Sequence, residues 1–250
     1  MEDILFSTFL LSLVLLGIHS YFGIEIIKRG IIFTDLAIGQ MSAIGAAISL
    51  LFLDGQYVYL ISLLFALLSG LIISFATKKA HNVEAFIGLM YAFGLSVVFI
   101  LLSKSPHGME EFEHLMANDI IFTPKEDIYK TAFLYFLLGL IVYVSQNKTK
   151  GFFKEMVFFL TFAITVTSSV KLAGVIVVFS LLISPAVVSL YIPKGNKVLN
   201  AWISGTIINI ISIFTSYKFD LPTGYTLVAF HTIIAGLFFL IFEKKAPIES

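Results

Sequence analysis

The chain has 250 residues, 58% of them hydrophobic and only 13% charged, with a mean hydropathy of +0.98; a water-soluble domain spends about a quarter of its residues on charge. Sixteen basic residues balance sixteen acidic ones, which argues against a nucleic-acid surface of one sign. The absence of cysteine excludes disulfides, thiolate metal ligands and thiol catalysis.

Apolar runs of near bilayer-spanning length recur at 4–24, 35–53, 57–77, 84–103, 128–145, 155–170, 172–192, 198–217 and 223–242. Long runs broken by brief turns suit helices rather than the short dyad-patterned strands of a membrane barrel. The expected fold is all-α, a polytopic integral membrane protein of eight to nine transmembrane helices, with residues 1–250 as a single transmembrane domain. The joint at Ser168 to Lys171 decides the number, because a broken element there reduces nine spans to eight. The first run lacks a basic flank and a small-x-small cleavage site and reads as a retained span.

Alternate connections are basic: Lys28 and Arg29; Lys78 and Lys79; Lys148, Lys150 and Lys154; Lys194 and Lys197; and Lys244 and Lys245 in the tail. The positive-inside rule then places the N-terminus outside and the C-terminus inside. Segment 103–127 is the outer polar loop, with Glu110, Glu113 and His114 at helical spacing. It is either a surface helix capping the bundle or a vestibule that attracts cations. Segment 146–154 is the short inner loop.

Polar groups at membrane depth are costly and need partners, a bundle interior or water. Asp35 stands at the start of the second span, as a cap for its free amides or beside a substrate path. Gln40 lies five residues on, off the face of Asp35 in a regular helix of about 100° per residue, and serves as an interhelical hydrogen bonder or in an ion path. Asn209 and His231 also fall within spans, and Lys171 is expected to snorkel to an interface. Gly39, Ser42, Ala43, Gly45, Ala46 and Ala47 allow close backbone approach. Pro185 should kink the seventh span, with Thr165, Thr167, Ser168 and Ser169 available to compensate the lost hydrogen bonding. GxxxxGK[ST], GxSxG and HExxH are absent, so the chain carries no such nucleotide or hydrolase signature.

Five stretches, KRGIIFTDLAIGQMSAIG (28–45), EAFIGLMYAFGLSVVFILL (84–102), NDIIFTPKED (118–127), VKLAGVIVVFSLLISPAVVS (170–189) and FDLPTGYTLV (219–228), resemble in order and spacing the permease subunits of zinc and manganese ABC transporters, the ABC-3 family. The resemblance implies a permease without an ATPase site of its own, in the prokaryotic cytoplasmic membrane. Its partners would be a second permease copy in a homodimer, cytoplasmic ABC ATPase subunits that bind ATP, an extracytoplasmic metal-binding protein and the lipid bilayer. It implies a transported divalent metal, zinc or manganese and then iron, with no cofactor bound by this chain and no nucleic acid. The candidate metal residues are Asp35 and Gln40 in the second span, Glu84 near the start of the fourth, and His107, Glu110 and His114 at the outer entry.

Two departures from the family pattern stand out. The family places Asp and His four apart in the second span, whereas here Gln40 falls at the histidine and Asp35 one residue early. The inner loop 146–154 lacks the family's longer stretch with its acid-proline pair, so either Phe152 and Phe153 insert into a partner as a reduced coupling element or coupling is made elsewhere. The alternative functions are a gradient-driven secondary transporter, which requires inverted repeats and matching broken helices, and a structural membrane subunit without a path.

Overall fold

The computed structural model describes residues 2–79, 82–105, 107–110, 112 and 120–242. Among these the fold is all-α: α1 (Glu2–Arg29), α2 (Thr34–Leu53), α3 (Val58–Lys79), α4 (Val83–Leu102), a 3-10 turn at Ile120–Phe122, α5 (Lys125–Lys148), α6 (Gly151–Ala173), α7 (Val175–Tyr191), α8 (Lys197–Phe219) and α9 (Thr223–Phe242). Eight of these helices are long and apolar enough to cross a membrane; α7, with 17 residues, is shorter. At 1.5 Å per residue it rises about 26 Å, just under a hydrocarbon core of about 30 Å.

The expected nine segments all become helices, but several run past the apolar limits. α6 starts at Gly151 rather than 155 and ends at Ala173, and α5 runs on to Lys148. The expected loop 146–154 is therefore reduced to Thr149 and Lys150 outside helix. Polar residues at a membrane helix end sit in the interface without breaking the helix, so an apolarity limit underestimates it. The Ser168 to Lys171 joint is also helical. The break falls at Gly174, whose φ of +80° is a conformation that side-chain-bearing residues rarely adopt.

The chain forms two compact units. One comprises Met1–Arg29, Asp119–Ala132 and Ile176–Ser250, and the other Gly30–Asn118 and Phe133–Val175. In the second unit α2 packs on α3, α4 and α6, and α3 on α6. The small-residue run explains the first of these contacts. A Cβ placed on Gly45 would lie 2.7 Å from the Ile61 carbonyl oxygen and from the Ser62 Cα, so the α2–α3 crossing is backbone against backbone. In the first unit α1 packs on α8, and α8 on α9. Asp220, in the left-handed region at φ 52°, ends α8, and Ser216 Oγ donates to the Leu221 carbonyl at 2.7 Å across the turn.

The hydroxyl groups are handled locally. Thr8, Ser20, Ser74, Thr161, Thr165 and Ser169 each donate to the carbonyl four residues earlier in their own helix, which lets polar side chains enter a medium without water. Thr165, Ser168 and Ser169 are not spent on the Pro185 kink. They meet the Tyr135 hydroxyl of α5, Ser168 Oγ at 3.1 Å and the Thr165 carbonyl at 3.2 Å. Lys171 holds its ammonium 5.0 Å from the centre of the Tyr59 ring, an interfacial cation–π contact.

Gly45→Leu forces the α2 and α3 backbones apart and is expected to destabilise the protein by about 1–3 kcal/mol, read as a lower unfolding midpoint in detergent. Gly139→Leu, where a Cβ meets nothing within 4 Å, serves as the control and should leave the midpoint nearly unchanged.

Candidate functional site

The second unit gathers three of the sequence-derived candidates around the first turns of α2. Phe33 is the N-cap residue and contributes no side-chain hydrogen bond, so the free amides of α2 need acceptors from elsewhere. Asp35 stands in the first turn, its carboxylate beside the backbone N–H groups of Asp35 and Leu36. Glu84 supplies one from α4, its Oε1 accepting the Phe33 N–H at 3.3 Å. Two carboxylates thus converge on the positive end of one helix.

Neither carboxylate is fully used. Asp35 is 2% exposed, and its Oδ1 and the Glu84 Oε2 are both buried with no hydrogen-bond partner among the described residues. A buried carboxylate oxygen without a partner is costly, and a proton or a cation at that point relieves the cost. Gln40 stands five residues along α2, where it packs against α4: a Cβ on Gly94 would come within 2.8 Å of the Gln40 Cβ. Gly94 therefore lets α4 lie close beside the polar stretch of α2.

His107 and Glu110 belong to a different place. They follow the far end of α4, roughly 27 Å of helix from Glu84 at 1.5 Å per residue, and pair with each other at 3.7 Å between Nδ1 and Oε2 in an exposed position. His114 lies outside the described residues, as do Glu113 and most of the segment expected as a surface helix. No group of three or more His, Asp or Glu side chains able to hold a metal occurs among the described residues. The five described candidates are thus not one preformed metal centre.

In the first unit, Asn209 and His231 come together. His231 Nε2 lies 2.8 Å from Asn209 Oδ1, both side chains are 0% exposed, and Ser184, next to Pro185, donates its hydroxyl to the His231 carbonyl. The Pro185 stretch of α7 is thereby tied to α9, and α9 to α8. His19 was not singled out by sequence; it too is fully buried, with Nδ1 2.7 Å from the Leu15 carbonyl. A polar residue midway along an apolar run was the available signal.

The described residues form an all-α polytopic membrane fold, and comparison with known proteins agrees with that fold. The model of the ABC 3 transport family matches residues 1–243. The chain belongs to the ABC 3 transport family. It is similar to the manganese transport system membrane protein MntC of Listeria innocua, 24% identical over 262 residues that cover 96% of this chain and 92% of that one. It is 27% identical to a probable metal transport system membrane protein of Thermotoga maritima over 81% of this chain and 76% of that one. A solved structure, PsaBC from Streptococcus pneumoniae in complex with Fab, has the same fold, with a TM-score of 0.74 at 17% identity over 97% of this chain and 95% of that one.

A double-mutant cycle of Asn209→Ala and His231→Ala, read by unfolding in detergent, is expected to give a coupling of about 0.6 to 1.7 kcal/mol, the range of hydrogen bonds between membrane helices. Additive effects of the two substitutions would contradict the contact.

Proposed function

We propose that this chain is the membrane permease of an ATP-driven transporter for divalent metal ions, with manganese as the first cargo, zinc the second and iron the third. The observation that carries the reading is the start of α2, where Asp35 and Glu84 each keep a buried carboxylate oxygen without a hydrogen-bond partner among the described residues. Family membership and the functions named for the relatives support it. Carboxylate and amide oxygens suit manganese better than zinc, which favours imidazole and thiolate.

In this reading residues 1–250 act as one permease domain, with the N-terminus outside and the lysine-bearing connections in the cytosol of a prokaryotic cell. Two copies pair, cytoplasmic ATPase subunits bind ATP, and an extracytoplasmic metal-binding protein delivers the ion. His107, Glu110 and His114 attract it at the outer entry, and Asp35, Glu84 and Gln40 meet it along α2. Weak binding at several points lets the ion leave as readily as it enters. ATP binding on the partners shifts the dimer between outward and inward openings by favouring one state over the other.

The test is uptake of manganese by the reconstituted transporter, with ATPase stimulation measured in parallel for manganese, zinc and iron. Asp35→Asn keeps the volume and removes the charge; uptake is expected to fall at least about tenfold, with assembly of the complex retained. Full uptake with unchanged metal preference in that variant would remove Asp35 from the path.

A further inference from the structure

In the second unit, α2 and α4 each carry a pair of glycines, Gly39 and Gly45 on α2 and Gly88 and Gly94 on α4. Gly45 and Gly94 are packing glycines: a Cβ on the first would lie 2.7 Å from the α3 backbone, and one on the second 2.8 Å from the Gln40 Cβ. Gly39 and Gly88 pack against nothing. A Cβ on either meets no atom within 4 Å, and Gly39, alone among the described glycines of which that holds, is buried. A glycine inside a helix costs stability relative to alanine, and at these two positions no close approach of another helix offsets that cost. What the missing side chains leave is room.

That room adjoins the spare carboxylate oxygens. Gly39 follows Asp35, and Gly88 follows Glu84, at the i, i+4 spacing that puts two residues on one helix face. The two helices run in the same direction, since Glu84 meets the start of α2 and Gly94 meets Gln40 further along. Gly39 is turned back from Gln40 by about 100° around α2, and Gly88 is turned forward from Gly94 by roughly 120° around α4. Opposite rotations on two parallel helices that face each other lead to the same side, so both glycines floor one groove. Gly45, turned forward from Gln40 by roughly 140°, puts α3 on the other side of the pair. Among the described residues no third His, Asp or Glu joins the two acids as a metal-holding group, while a hard divalent cation takes about six oxygen ligands. Water has to supply the rest, and water needs space. The geometry points to a water-filled groove along α2 and α4, floored by Gly39 and Gly88, that admits a divalent cation to Asp35 and Glu84 with part of its water shell in place. The cargo in this statement rests on the proposed transport function; the groove does not.

Because the chain has no cysteine, one introduced thiol is the only thiol it carries. In the full chain reconstituted in lipid nanodiscs, which leave both faces open to reagent, Gly39→Cys and Gly88→Cys are expected to react with a small charged methanethiosulfonate, since the reactive thiolate forms in water and not in hydrocarbon. Gly139→Cys, with equal room on the apolar middle of α5, should stay unmodified. Manganese should slow the reaction of Gly39→Cys, and choline chloride of equal ionic strength should not. Filling the groove is the second arm. Gly39→Ala and Gly39→Val should lower manganese uptake in order of volume, by about tenfold or more for valine, with the unfolding midpoint of the alanine variant unchanged or raised. If Gly39→Val fails to fold, Gly39→Ala and the thiol reactions carry the test. An inert Gly39→Cys, reaction of Gly139→Cys at the same rate, no protection by manganese, or full uptake by a folded Gly39→Val would each overturn the inference. A reactive and manganese-protected Gly39→Cys in a transporter whose wild type moves no manganese would uphold the groove and strike the transport reading, whereas wild-type uptake beside an inert thiol would do the reverse.

Discussion

A helix in hydrocarbon has no water with which to satisfy its polar groups, and the structure of this chain follows from that constraint. Many serine and threonine hydroxyls turn back to carbonyls one turn earlier, and His231 and Asn209 pair across neighbouring helices. Hydrophobic burial does little to hold such helices together, because lipid is as apolar as leucine; close backbone approach and a few hydrogen bonds do the work instead. Gly45 against α3 and Gly94 against Gln40 are the clearest cases.

Those two approaches place α2 at the centre of its unit and fix where its first turn lies. An unsatisfied helix start is electropositive, and two carboxylates gather on it, one from the helix itself and one from α4. The Phe33 amide occupies one Glu84 oxygen, and each carboxylate keeps a buried oxygen without a partner among the described residues. A preformed cage would hold an ion tightly, whereas spare oxygens in a partly satisfied site bind it weakly, which is what conduction demands. The exposed His107–Glu110 pair stands apart from this site, at the far end of α4.

Much of the fold was legible because bilayer thickness imposes a length on every apolar run, and nine such runs become nine helices. Helix ends were less legible, since Gly151 to Lys154, bracketed by Lys150 and Glu155, and the polar Gln146 to Lys148 lie outside the apolar limits yet are helical. The Asn209–His231 contact was in principle readable: the two residues are equidistant from Asp220, the turn residue of the hairpin that joins their helices. Glu84 reaching the Phe33 amide was not, because a contact 51 residues apart depends on α2 and α4 lying side by side. Nor did the sequence tell that Thr165, Ser168 and Ser169 serve Tyr135 rather than Pro185. Proximity in the chain to a proline says little once Gly174 has turned the backbone.

The central claim is that the spare carboxylate oxygens at the start of α2 meet the cargo. Anomalous scattering at the manganese edge, collected from crystals of the assembled transporter soaked in manganese, tests it most directly. The account predicts a peak within coordination distance of the Asp35 carboxylate, with Glu84 beside it. Manganese peaks confined to other parts of the chain, with both carboxylates still turned only to the amides of α2, would contradict it.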